Sequence, residues 1–204
     1  MVKMGKLKKY IVFTIGTLLF AFGITFGNRS LFGGNSMSIL VVGLNLHLPV
    51  SMGTCNLLVS IIEVLIGTSM DKSHTSFISI ITMFVSSYAI DLTNLIVPPV
   101  NNIQLKILYM VAGILCYCLG LGMQQACEIG YGNLDIFIFG FKKKYNVKNY
   151  RTIRWPIDIA FIAIGMLLGA PVGIGTLFLM FFAGVIIEKS KKLAVELCFK
   201  NDVQ

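Results

Sequence analysis

The sequence predicts an all-α membrane protein, a polytopic helical bundle with six spans, two short re-entrant or interfacial helices and a 3+3 inverted repeat. Long apolar runs, a composition unlike that of soluble domains and glycines at a constant offset predict this class. Hydrophobic residues make up 56% of the 204 residues and charged residues 13%, whereas about 25% charged residues is typical of a soluble domain. We therefore expect residues 1–204 to form a single membrane domain.

Long runs of apolar residues predict the membrane-spanning helices. They cover residues 10–28, 53–70, 75–97, 107–127 and, almost continuously, 153–187. The last run exceeds the ~20 residues that one spanning helix needs. Proline and glycine between Gly169 and Gly173 divide it in two, which brings the predicted number of spans to about six.

Two further apolar runs are too short to cross as helices. At ~1.5 Å per residue the run 37–48 would reach about 18 Å, against a hydrocarbon core of ~30 Å. The run 134–141 is shorter still. This favours re-entrant or interfacial helices, while an eight-span alternative, in which both runs cross, remains open because it leaves the basic clusters on the same side.

The basic residues predict the orientation. Of the 17 Lys and Arg residues, 14 lie in three clusters: before the first span, at 142–154 and after residue 188. The positive-inside rule places all three clusters, and with them both termini, in the cytoplasm. Because the clusters flank the spans, we expect them to meet lipid headgroups of the bilayer and no nucleic acid.

Glycines predict an internal duplication. A shift of 97 residues aligns four glycines of the first half with Gly113, Gly120, Gly130 and Gly140. Repeat 1 then covers about residues 10–97 and repeat 2 about residues 107–188, with the same order of long and short apolar runs. If each half crosses three times, the halves have opposite orientation, as in many transporters. Alternatively, the duplication only builds a stable bundle, and the glycines allow close helix packing.

Polar residues inside apolar runs are the candidates for a binding site, since an ionised side chain deep in lipid is costly. The four-residue spacing of Arg154 and Asp158 puts both on one helix face, where a snorkelling pair without function is an equal alternative. Asp135 follows a glycine-rich turn and could cap a helix. The candidate binding residues between the halves are Asn35, Glu63, Asp135, Arg154, Asp158, Gly175 and Thr176.

Motifs for catalysis, cofactors or metals are missing from the sequence, so we expect a protein that is not an enzyme and has no cofactor. The segment from Gly173 to Thr176 looks like a phosphate loop but lacks the lysine and the preceding strand. His47 and His74 have no metal-ligand spacing. The five cysteines fall mostly in or beside apolar runs, where Cys behaves as a small hydrophobe.

Three motifs resemble those of the YczE/YitT class of bacterial integral membrane proteins. They are GGNSMSILVVGL with its counterpart GYGNLDIFIFGF, the R-x-x-x-D of Arg154 and Asp158, and GAPVGIGTLF. The resemblance covers about residues 10–188 and is closer to YczE because no soluble C-terminal domain follows. It implies a multi-pass protein of the bacterial cytoplasmic membrane without an established activity. Family members often carry Pro-Trp-Asp where Ser36 to Ser38 stand here, which puts a role for an acid in that half in doubt.

The apparent inverted duplication and the intramembrane charges together predict a transporter for a small solute or an ion. The alternative is a non-transporting membrane protein that assists or regulates a partner complex. A homo-oligomer and a separate membrane partner are both compatible with the sequence.

Overall fold

Helices form all the secondary structure of residues 6–130 and 132–199, the part of the chain that the computed structural model describes. The helices are α1 (Lys6–Ser30), α2 (Ser36–Asn45), α3 (Met52–Met70), α4 (Phe77–Ile96), α5 (Ile103–Cys127), α6 (Asn133–Lys144), α7 (Tyr150–Leu167) and α8 (Ile174–Phe199), with a 3-10 turn at Lys72–His74. The predicted all-α class is confirmed. Residue 131 of the second glycine-rich motif lies outside the described residues.

Four helices are long and apolar enough to cross a membrane by length and composition. They are Leu7–Ser30, Met52–Met70, Phe77–Ile96 and Ile103–Cys127, the bodies of α1, α3, α4 and α5. The protein is therefore a membrane protein with at least these candidate spans. The remaining two predicted spans are helical as α7 and α8, but they carry more charged residues and are not among the four.

Capping side chains and backbone breaks set the helix ends. Asn35 caps α2 by accepting from the Ser38 amide at 2.8 Å, and Ser51 and Ser76 cap α3 and α4 in the same way. The break in the long C-terminal apolar run falls at Gly169, whose φ of +82° glycine adopts without strain. The predicted division of this run is confirmed.

Helices α1 and α5 pack closely along a seam of glycines. A Cβ added at Gly16 would lie 2.9 Å from the carbonyl oxygen of Gly120, and one added at Gly113 would lie 3.2 Å from that of Gly23. Such contacts require small residues at the crossing. Because residue 16 meets residue 120 while residue 23 meets residue 113, the two helices run antiparallel.

The short helices α2 and α6 each begin beside the middle of a longer helix and run parallel to it. Helix α6 follows α3, because Asn133 donates to Ser60 at 2.7 Å and Lys143 donates to Asp71 at 2.6 Å. Helix α2 follows α7 from Ser36, whose hydroxyl donates to Asp158. With 10 and 12 residues, the short helices reach only about 15 and 18 Å.

Matching close contacts hold the two short helices in place. A Cβ added at Gly67 of α3 would lie 2.6 Å from the Ile136 carbonyl oxygen of α6, and one at Gly165 of α7 would lie 2.6 Å from the Ile39 carbonyl oxygen of α2. Ile39 and Ile136 are both fully buried and are 97 positions apart. The two short helices therefore each pack through a buried isoleucine against a glycine of the longer helix.

Candidate functional site

A cavity of about 1020 Å³ lies beside α7 and α8 and reaches the first residues of α2 and α6. Polar groups from Asn35, Asp135, Arg154 and Asp158 line one part of it, and the apolar side chains of α8 line another. Its size is at the upper end of the ~300–1,000 Å³ typical of small-molecule sites. The cavity can therefore hold an organic molecule.

Arg154 is the centre of a hydrogen-bond network inside this cavity. Its Nε donates to Asp158 Oδ2 at 3.3 Å, and its Nη1 donates to the Tyr150 hydroxyl at 2.9 Å. Tyr150 in turn donates to Asp135 Oδ1 at 2.5 Å, while Arg154 Nη1 lies 3.9 Å from the same oxygen. The predicted helical pair of Arg154 and Asp158 is confirmed, and it extends to α6.

Ser36 connects this network to α2. Its hydroxyl, at the first position of α2, donates to Asp158 Oδ1, and both residues are 9% exposed. The sequence gives no direct signal for Ser36, because the acid of the family's Pro-Trp-Asp falls on Ser38. It gives no signal for Tyr150 beyond its place four residues before Arg154, and therefore on the same helix face.

The N-terminal ends of α2 and α6 both border the cavity. Asn35 caps α2, whereas the N-cap position of α6 is Gly132, which provides no side-chain cap. The interpretation of Asp135 as a cap is wrong, because Asp135 lies inside the first turn and accepts from Tyr150. Two helix N-termini bring partial positive charge to a region that also holds two carboxylates.

Glu63 lies on the face of α3 that meets the first turns of α6. It is 1% exposed, and neither carboxyl oxygen has a hydrogen-bond partner among the described residues. Ser60, one turn earlier, bonds to Asn133, and Gly67, one turn later, contacts Ile136. The carboxyl interacts electrostatically with Asp135, Arg154 and Asp158, although Glu63 is not part of the cavity wall.

Gly175 and Thr176 lie away from the cavity, at the start of α8. The Gly175 amide donates to the Phe32 carbonyl oxygen at 3.0 Å, and Thr176 is 2% exposed beside Gly33. These residues pack the loop that precedes α2. The structure thus brings together four of the seven candidate residues, leaves Glu63 buried behind them and separates Gly175 and Thr176 from the group.

An ion pair joins the end of α3 to the end of α6, beside Ser73 and His74, which line the cavity. Asp71 accepts from Lys143 Nζ at 2.6 Å and from the Ser73 hydroxyl at 2.6 Å. The Lys143 ammonium, followed by the Ser73 hydroxyl, holds the pKa of the Asp71 carboxyl well below its usual range. This pair ties the last turn of α6 to α3. Among the described residues, no group of three or more His, Cys, Asp or Glu could hold a metal ion.

Comparison with known proteins places the chain in a family. Residues 7–192 match a family of unknown function, DUF6198. The chain belongs to this family. The uncharacterized protein YyaS of Bacillus subtilis (strain 168) is 23% identical over 185 residues, covering 88% of this chain and 90% of that protein. An uncharacterized protein of Haemophilus influenzae is 23% identical over 180 residues, covering 86% and 82%.

No solved structure matches the chain with statistical significance. The names of these two relatives assign neither a transport activity nor YczE or YitT. The narrower resemblance to YczE therefore stays a prediction.

Proposed function

We propose that this DUF6198 protein is a transporter for a small solute or an ion in the bacterial cytoplasmic membrane, rather than an enzyme. The observation that carries the proposal is the cavity of about 1020 Å³ at which two short helices begin beside Arg154 and Asp158. Transporter sites are commonly formed where broken helices point their N-termini at a cavity near the bilayer midplane. Both relatives come from bacteria, which agrees with the proposed membrane.

The helix contacts support an inverted repeat of α1–α4 and α5–α8. Helix α2 packs on α7 as α6 packs on α3, and α1 packs on α4 as α5 packs on α8. The contact of Gly16 with Gly120 has its counterpart in that of Gly113 with Gly23. Exchange of the two halves therefore preserves these contacts, as a two-fold axis perpendicular to α1 and α5 requires.

The antiparallel arrangement of α1 and α5 favours six spans over eight. If α1, α3 and α4 cross and α2 turns back, α5 is the fourth crossing and runs opposite to α1. If α2 also crossed, α5 would be the fifth crossing and would run parallel to α1. With α7 and α8 as the last two crossings, the charge rule puts both termini in the cytoplasm, although residues 1–5 and 200–204 lie outside the described residues.

A difference between the two repeats supports an inward-open state. At the outer end of α3 and α4, Asp91 accepts from the Ser51 hydroxyl and the Gly53 amide, both at 2.6 Å. The equivalent pair, α7 and α8, makes few contacts and borders the cavity. Alternating access uses such a difference, because each repeat adopts in turn the conformation of the other.

Uptake into proteoliposomes tests this function. We expect purified protein to support protected uptake of at least one member of a panel of ions, amino acids and organic acids. Arg154→Gln should abolish that uptake, and Lys144→Met, on the exposed end of α6, should retain it. If no panel member enters, the transporter is contradicted, and the alternative of a membrane protein that assists or regulates a partner complex is favoured.

A further inference from the structure

Glu63 differs from Asp158, Asp135 and Asp71 in having no hydrogen-bond partner among the described residues. Asp158 has Arg154 and Ser36, Asp135 has Tyr150, and Asp71 has Lys143. Glu63 is the most buried acidic residue that the structure describes, and both of its oxygens lack a hydrogen-bond partner there. An ionised carboxylate in such surroundings is costly unless something compensates its charge.

We propose that Glu63 is a proton-binding site inside the membrane. A bound proton removes the charge and converts one carboxyl oxygen into a hydrogen-bond donor. The Glu63 side chain lies on the face of α3 that contacts α6.

The surroundings of Glu63 favour a proton over a metal cation. A hard cation requires a shell of several oxygen ligands. The hydroxyl of Ser60, one turn away, already accepts from Asn133 at 2.7 Å, and no metal-binding group of three or more His, Cys, Asp or Glu exists in the described chain. A proton requires no such shell.

The charged groups around Glu63 connect it to the cavity. Asp135 on α6 and Arg154 and Asp158 on α7 interact with it electrostatically. Helix α2 has no charged residue, and the only one in α4, Asp91, lies at the other end of α3 beside Gly53. Because the same three side chains line the cavity, binding of a proton and binding of a solute are thermodynamically linked. In this respect the inference rests on the proposed transport function, and Glu63 is then its proton-coupling residue.

Infrared spectroscopy of the full chain in lipid nanodiscs tests the site without a known solute. At neutral pH we expect a carbonyl band of a protonated carboxyl that is lost in Glu63→Gln and retained in Glu196→Gln, an exposed control on α8. The band should disappear at high pH and stay unchanged when NaCl replaces KCl. Absence of the band, its persistence in Glu63→Gln, or its loss on adding Na⁺ would overturn the proton site.

Thermal melting shows whether Glu63→Gln folds as the wild type does. Since Gln matches the size of a neutral Glu, Glu63→Gln should melt at or above the wild-type temperature at neutral pH. A large decrease in the melting temperature would contradict a neutral Glu63.

Uptake with a pH-sensitive dye inside the vesicles separates the two proposals. For panel members that enter, wild type should change the internal pH and Glu63→Gln should not. Uptake without any pH change would refute coupling but leave transport standing. A Glu63 band without any uptake would refute transport but leave the proton site standing.

Discussion

At the scale of single residues, Arg154 compensates two carboxylates at once. It bonds to Asp158, reaches Asp135 through Tyr150 and lies 3.9 Å from Asp135 directly. The two alternative interpretations of the Arg154 and Asp158 pair, structural and functional, therefore both involve the same cavity. They still differ in the effects expected when the charges are removed.

The order of stabilities of three variants distinguishes the contribution of each charge. Arg154→Gln leaves both carboxylates without a cation, so it should be the most destabilising single change. Asp158→Asn leaves Arg154 with Tyr150 and Asp135 and should cost less. Because the Arg154 side chain is 31% exposed, we expect about 1–3 kcal/mol for Arg154→Gln, below the ~3–5 kcal/mol of a fully buried pair.

Melting of the detergent-solubilised protein measures these differences. The double variant, Arg154→Gln with Asp158→Asn, should be more stable than Arg154→Gln alone, because only Asp135 then lacks a cation. If all three variants melt at the same temperature, the network does not contribute to stability. If the double variant folds but no longer supports uptake, the pair has a role in binding as well.

The lowered pKa of Asp71 predicts that the stability of the protein decreases in acid. Its pKa in the folded protein lies below the usual ~3.9 because Lys143 and Ser73 stabilise the carboxylate. The stabilisation is fully present above about pH 4 and is lost as pH falls further, since the unfolded state then binds the proton first. Lys143→Met should lower the melting temperature at neutral pH, and its difference from wild type should shrink in acid.

The neighbouring lysine offers a matched control for this ion pair. Lys144 is exposed at the same end of α6, and Lys144→Met removes an equal charge without touching Asp71. Its melting temperature should follow that of wild type at every pH. A difference between Lys143→Met and wild type that persists in acid would show that Lys143 acts through packing and not through the carboxylate.

At the scale of helices, the length of the apolar runs predicts which segments form short helices. The runs 37–48 and 134–141 become α2 and α6, with shifted ends because polar caps, and not hydrophobicity, decide where a helix starts. Helix α8 continues past the predicted span through its lysines to Phe199, since lysine is a good helix former. Periodicity and length thus predict the elements but not their ends.

The site is less predictable than the helices. The spacing of Arg154 and Asp158 is local and is visible directly in the sequence. The contact of Ser36 with Asp158 joins residues 122 positions apart, and no local pattern contains such a contact. The glycine-rich surroundings of Gly175 favour a binding role, whereas its real constraint is the close approach of Phe32.

Glycine contacts between helices predict that the same substitution, Gly to Ala, changes stability differently at two positions. In Gly67→Ala the new Cβ would lie 2.6 Å from the Ile136 carbonyl oxygen, a backbone atom that cannot move alone, so α3 and α6 must separate. We expect a loss of about 1–3 kcal/mol, as for other overpacked sites. In Gly184→Ala nothing lies within 4 Å, so the better helix propensity of alanine should leave stability equal or increased by up to ~1 kcal/mol.

Thermal melting of the two variants beside wild type provides the measurement. Equal melting temperatures for Gly67→Ala and Gly184→Ala would mean that α6 does not pack on α3 in the membrane. Because Gly165 repeats the same contact with Ile39, Gly165→Ala should behave as Gly67→Ala does.

At the scale of the whole molecule, the proposed two-fold relation connects the fold with the proposed orientation. The seam between α1 and α5, the placement of α2 and α6, and the contrast between α3–α4 and α7–α8 all agree with one duplicated unit inserted in opposite directions. In the sequence, this proposed relation is indicated by four aligned glycines. Their meaning depends on contacts between the halves, such as that of Gly16 with Gly120.

Cysteine labelling in cells tests this orientation. Asn101, in the turn between α4 and α5, and Asn146, between α6 and α7, are both exposed. In a background with the five native cysteines replaced, Asn101→Cys should react with a membrane-impermeant maleimide on intact cells, whereas Asn146→Cys should react only after permeabilisation. The cysteine-free chain is the control for background labelling.

The number of membrane crossings before each loop explains why residues 101 and 146 are expected on opposite sides. Three crossings from a cytoplasmic start place residue 101 outside. In the proposed six-span topology, α5 then returns the chain to the cytoplasm and the short α6 does not cross, so residue 146 is expected there with the basic cluster of 142–154. Protection of residue 101 in intact cells would require α2 to cross. Helix α1 would then run parallel to α5, which the contacts of Gly16 with Gly120 and of Gly23 with Gly113 contradict.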